Sequence, residues 1–162
     1  MRIGVVSDTH NHLRNTRRIV ELFNAAGVEQ VVHTGDITQP KVLHALRGLD
    51  APLAGVFGNN DLERRELEAT CSELDFHFRD PPLHLDWGGR RVVVVHDPRD
   101  LAALSLEPGT LALHGHTHCT TTRRHEDGGL AFNPGECAGM IAGANTVGVV
   151  DLFDLRVELL RF

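Results

Sequence analysis

Lysine is nearly missing from this chain of 162 residues: fifteen of its sixteen basic residues are arginine, and Lys41 stands alone. We read that as coding bias. An excess of positive charge is missing too. With 22 acidic residues the net charge is −6, histidine taken as neutral. This argues against general nucleic-acid binding, which needs a basic surface to displace counterions, but leaves room for a small phosphorylated substrate held through metal. Cysteine is sparse: Cys71, Cys119 and Cys137 are widely spaced, with no CxxC. They make no disulfide framework, and a reduced cytoplasmic protein is the expectation. No apolar run is longer than that of residues 92–95, against about 20 residues for a membrane span. The opening MRIGVVSDTH lacks the charged and apolar regions of a secretory signal. Repeats, low-complexity tracts and linker-like stretches are also wanting, so residues 1–162 are expected to form one domain, for which the length is usual.

What is there is an ordinary globular composition, 41% hydrophobic and 23% charged. β-rich runs over 3–6, 30–33 and 53–57 alternate with helical spacing over 13–26 and 40–46. Gly27 stops the first helix, and Pro40 opens the second. A polar, exposed helix is expected over 62–69. The second half turns to strands. Residues 83–87 and 92–95 flank Gly88-Gly89; a helical stretch over 101–106 and a strand over 111–113 follow. A hairpin of 120–125 with 130–132, then strands over 147–152 and 155–160, end the chain. This order predicts an α/β protein with two sheets or one large mixed sheet.

The positions of the polar residues carry the functional signal. Five apolar runs each end in histidine, aspartate or asparagine: Ser7-Asp8-Thr9-His10, Gly35-Asp36, Gly58-Asn59-Asn60-Asp61, His96-Asp97 and His114-Gly115-His116-Thr117-His118. Ligands of open α/β sheets bind outside the carboxyl ends of strands, so strands lying side by side would bring these clusters into one pocket. Carboxylate, imidazole and amide oxygen without thiolate suit manganese, iron, cobalt, nickel or zinc held for catalysis, whereas structural zinc favours cysteine. Asp8, His10, Asp36, Asn59, His96, His116 and His118 exceed the needs of one ion. They suffice for two if a carboxylate bridges, an arrangement used in phosphoryl hydrolysis.

These motifs, in this order, resemble those of the calcineurin-like metallophosphoesterases. The GHTH form at 115–118 and Asn133-Pro134-Gly135 resemble the small bacterial and archaeal phosphodiesterase branch. The resemblance implies an α/β fold of two mixed β-sheets packed as a sandwich flanked by helices, in four layers α/β/β/α. It implies two divalent transition-metal ions, manganese first, with nickel, iron, cobalt or zinc as alternatives. The first would take Asp8, His10, Asp36 and His118, and the second Asp36, Asn59, His96 and His116, with Asp36 bridging. It implies hydrolysis of a small phosphate ester, most simply a diester, by metal-activated water attacking in line with the leaving oxygen. Asp36, Asn60 and Asp61 are the catalytic candidates. Relatives assemble as dimers or tetramers, although no apolar stripe marks an interface here. The alternative is a non-catalytic protein-interaction scaffold, as in a related retromer subunit; loss of ligands would favour it, and none is lost.

Three positions depart from the family pattern. Asn60 stands where many relatives carry histidine, Asp97-Pro98 where Gly and His are usual, and Glu136 where serine is usual. His33 and His114 are candidates for supporting the ligands, and Asp61 and Asp97 for orienting their neighbours. His12, His44, His77, His84 and His125 are read as ordinary polar positions. Cys119 is expected to be a small buried residue.

Overall fold

Alternating β-rich and amphipathic stretches become β1 (Arg2–Val6), α1 (Leu13–Ala26), β2 (Gln30–His33), α2 (Pro40–Leu46), β3 (Leu53–Val56) and α3 (Arg64–Glu73). The structure, a computed structural model, describes residues 1–140 and 143–162. Helix α1 buries Thr16, Ile19 and Phe23 at spacings of three and four. It starts at an imidazole cap, with the Asn15 N–H donating to His12 Nδ1 at 3.2 Å, and stops at left-handed Gly27. Helix α3 begins later than its polarity suggested and is not merely a surface helix: Leu67, Thr70 and Cys71 form a buried face.

β4 (His77–Arg79) follows, then β5 (Leu83–Trp87) and β6 (Arg90–Val94) around Gly88 and Gly89. A 3-10 helix, Pro98–Ala103, comes earlier than the helical stretch expected over 101–106. Asp97 accepts from the Arg99 N–H at 2.9 Å, and Pro98 suits a first turn. β7 (Leu111–Leu113), β8 (Thr121–Arg124), β9 (Leu130–Asn133), β10 (Thr146–Asp151) and β11 (Arg156–Arg161) complete the order.

The strands form two mixed sheets, ordered β11-β10-β1-β2-β3-β4 and β5-β6-β7-β9-β8. One apolar cluster joins α1, α2 and α3 to the six-stranded sheet through Ile19, Phe23, Val42, Leu43, Leu46 and Leu67. A second joins the sheets, with Ile3, Val5, Val32 and Val56 meeting Val92, Val94, Leu111, Leu113 and Phe132. Residues 104–107 lie beside His84 and Val93, on the other side of the five-stranded sheet. The layers are those of the metallophosphoesterase sandwich, with the last one thin. Strands β1, β2 and β3 run parallel in one sheet, and β6, β7 and β9 in the other. Their carboxyl ends meet at one rim, where His96 Nδ1 lies 2.8 Å from the Thr34 carbonyl and the Cys137 N–H donates to the Asp8 carbonyl at 3.2 Å.

Candidate metal centre

The rim is held in conformations that L-residues seldom adopt. Asp8, His10, Asn11, Asp36, Thr38, His116 and His118 all have positive φ, seven of the nine such non-glycine residues among those described. Backbone strain concentrates in this way where the surrounding structure over-determines a functional geometry. Two glycines permit the close approach. A Cβ on Gly58 would collide with the Asp36 carboxylate, and one on Gly115 would lie 2.8 Å from Asp8 Oδ2 and 2.9 Å from Thr34 Oγ1.

All seven metal-ligand candidates converge here. His10 Nε2 and His118 Nε2 are 3.3 Å apart, and they lie 3.7 and 3.4 Å from Asp8 Oδ1. His96 Nε2 and His116 Nδ1 are also 3.3 Å apart, and Asn59 Oδ1 lies 3.0 and 2.9 Å from them. Asp36 stands between the two groups, with Oδ2 at 3.4 Å from His10 Nε2 and Oδ1 at 3.5 Å from His96 Nε2.

The residues fit cations. Asp8 is fully buried. Its Oδ2 accepts from the Ser7 hydroxyl and, at 3.1 Å, from the His116 N–H, but its Oδ1 accepts no hydrogen bond. A buried carboxylate oxygen without a donor needs compensation, and a cation among these nitrogen and oxygen donors would supply it. Burial opposes ionisation of Asp36, yet His96 and Asn60 hold its pKa well below the usual carboxylate range. Burial likewise raises the pKa of Asp8, but the nearby His10 imidazole and the Ser7 hydroxyl outweigh it and the net shift is downward. Pairing with Asp8 lifts His10. His96 is lifted against burial, chiefly by Asp36.

The two other catalytic candidates act through Asp36. Asn60 clamps its carboxylate, the backbone N–H donating to Oδ1 at 2.8 Å and the side-chain amide to Oδ2 at 2.7 Å. Asp61 is 3% exposed. It gathers the N–H groups of Gly58 at 2.6 Å, Thr38 at 2.6 Å and Asp36 at 3.0 Å, tying the β2 and β3 loops together. Burial, with the Asp36 charge adding, nevertheless leaves its pKa raised.

His33 supports the rim from beneath. The Gly35 N–H donates to its Nδ1 at 3.1 Å, which leaves the proton on Nε2, 3.1 Å from Thr9 Oγ1. Burial lowers its pKa to about 4. His114 is buried, and burial lowers its pKa too. Asp97 Oδ2 lies 3.7 Å from His116 Nε2, while Arg99 holds the Asp97 pKa well below the usual range. Cys119 is exposed, contrary to expectation. A sixth strand end, that of β9, also reaches the rim. Asn133 Nδ2 donates to the Gly115 carbonyl at 2.9 Å, and buried Glu136 places Oε2 3.2 Å from His118 Nδ1. Sequence reasoning gave Glu136 no role. Its one signal was an acidic residue four positions past the end of the apolar run 130–132.

This fold and rim define the class: a metal-dependent phosphoesterase. The sequence matches the calcineurin-like phosphoesterase superfamily domain over residues 1–154. A phosphodiesterase of Methanocaldococcus jannaschii is 32% identical over 155 residues, 93% of each chain. A solved archaeal phosphodiesterase is 29% identical and superposes with a TM-score of 0.89 over 100% of both chains. YfcE, a phosphoesterase from E. coli, shares the fold with a TM-score of 0.74 at 23% identity, covering 99% of this chain and 98% of its own. The chain belongs to the calcineurin-like phosphoesterase superfamily.

Proposed function

We propose that this enzyme hydrolyses phosphodiesters with two divalent transition-metal ions, manganese by preference. Asp8, His10, Asp36 and His118 hold the first, and Asp36, Asn59, His96 and His116 the second. The observation that carries this reading is the Asp36 carboxylate, which turns one oxygen to each donor group. Such a pair of ions supplies Lewis acidity, an activated water and a clamp on the attacking and leaving oxygens.

The chain's own contribution is placement. Asn60 and Asp61 fix the Asp36 carboxylate and its loop, so the donor sets keep their spacing without reorganising during turnover. Asn60 brings N–H donors but no transferable proton, so no general acid stands at that position. Beside Asn59, His96 and His116 lies a cleft of about 500 Å³ lined also by Phe57, Arg64 and Arg99. It has room for the second ester substituent of a diester. A larger hollow, about 710 Å³, runs along α1 past Arg14, Arg17 and Arg161 and contains none of the seven donors.

The diester reading also draws on the M. jannaschii relative, which carries the name phosphodiesterase. We expect a small substrate and cytoplasmic action; among the described residues no helix is long and apolar enough to cross a membrane. The test is hydrolysis of bis(p-nitrophenyl) phosphate against p-nitrophenyl phosphate by manganese-loaded protein, before and after chelation. A higher kcat/KM on the diester, lost with the metal, is expected. A monoester preference would overturn the diester assignment, and activity that survives chelation would overturn the metal assignment.

A further inference from the structure

Glu136 is 1% exposed, in a place where a carboxylate is costly to bury. The peptide group that follows it is tied through both of its polar atoms: the Glu136 carbonyl accepts from the Thr146 N–H at 3.1 Å, and the Cys137 N–H donates to the Asp8 carbonyl at 3.2 Å. The side chain is thereby aimed at the rim, with Oε2 3.2 Å from Nδ1 of His118. We propose that Glu136 is a positioning residue that orients His118 and strengthens it as a metal ligand, adding to the hold of the Asp8, His10, Asp36 and His118 set, whose second carboxylate makes it the tighter of the two. This rests on the two-ion reading above.

An imidazole that donates its Nδ1–H to a carboxylate keeps the Nε2 lone pair forward and gains basicity. His118 Nε2 is the atom that faces Asp8 Oδ1 and His10 Nε2, 3.4 and 3.3 Å away. The second set lacks this support. His96 Nδ1 faces a neutral carbonyl, that of Thr34, at 2.8 Å. His116 Nε2 lies 3.7 Å from Asp97 Oδ2, beyond hydrogen-bond reach, and Asp97 is already engaged by Arg99. Of these three histidines, His118 alone has a buried full negative charge within hydrogen-bond distance of its remaining nitrogen. The first set already carries buried Asp8 where the second has the neutral Asn59, and Glu136 adds to that electrostatic difference.

The test is calorimetric titration of metal-free full-length protein with Mn²⁺, comparing wild type with Glu136→Gln, Glu136→Ala and His118→Ala. The tight step should weaken about 10–100-fold in Glu136→Ala. Glu136→Gln keeps an acceptor and loses the charge, so its loss should be smaller. The weaker step should change little in either variant, and His118→Ala should abolish the tight step. If His118→Ala loses that step while both Glu136 variants bind as wild type does, the positioning role is wrong and the two-ion reading stands. If His118→Ala keeps both steps, the ligand assignment falls and the proposal with it. Equal weakening of both steps in near-isosteric Glu136→Gln would mean general loosening and would also overturn the proposal. Thermal melting of the metal-free proteins separates folding from binding: Glu136→Gln is expected to melt as wild type does and still bind less tightly.

Discussion

Asp61 shows how much one side chain can organise without touching substrate. Its carboxylate holds three backbone N–H groups from two loops. Asp61→Ala would strand all three donors, and hydrogen bonds to charged groups are worth about 1.5–3 kcal/mol each. We expect a loss of about 3–5 kcal/mol in urea unfolding, below the simple sum because burial and the Asp36 charge oppose the Asp61 carboxylate, with Asp61→Asn losing less because it keeps one acceptor oxygen. A variant within 1 kcal/mol of wild type, roughly the value of one ordinary hydrogen bond, would contradict the brace. Asn60 allows a kinetic prediction. Without an acid at that position, rates should fall steeply as the leaving group becomes more basic. Asn60→His should rescue poor leaving groups more than good ones, by up to about 10²–10⁴-fold. A leaving-group series on both proteins at matched metal content checks this; parallel dependences would mean that proton donation from residue 60 is irrelevant.

At the scale of elements, β7 and the loop after it matter most, because Gly115 lets the His116 to His118 loop pass against Asp8 and Thr34. Gly115→Ala should displace that loop and lower manganese content while leaving far-ultraviolet circular dichroism unchanged; full metal content in the variant would refute the close-approach argument. The elements also show where sequence reading succeeds. Over α1, helical periodicity, a glycine stop and β-rich neighbours all agreed, and the helix spans Leu13–Ala26 as its pattern predicts. The reading of α3 faltered because only Leu67, Thr70 and Cys71 are buried in a mostly polar stretch. β4 left no signal: three residues, His77–Arg79, pair at a sheet edge with only Phe78 packed against the core. The strand-end donors were legible because each interrupts an apolar run. Glu136 was not, since its role depends on contact between loops of β7 and β9, which local pattern does not encode.

The whole molecule joins two apolar clusters to one polar rim, and its acid stability should reflect that rim. His33 titrates near 6.5 when exposed and at about 4 when folded, because burial favours its neutral form. Its Nδ1 already accepts from Gly35, so a second proton there would break the bond. The unfolded chain therefore takes up the proton first. His33's contribution is complete above pH 6.5 and is lost as pH falls towards about 4, at up to about 1.4 kcal/mol per pH unit. His10 and His96, with raised values, act oppositely in metal-free protein, stabilising at low pH and losing that contribution as pH rises. Denaturant unfolding of metal-free His33→Gln should show a shallower fall in stability below pH 6.5 than wild type; equal slopes would refute the neutral-histidine assignment. Elemental analysis after manganese loading most directly tests the proposed two-ion centre, in which Asp36 would bridge. Close to two ions per wild-type chain are expected, and fewer in Asp36→Asn with activity lost. One ion per wild-type chain, or an undiminished count with full activity in Asp36→Asn, would contradict it.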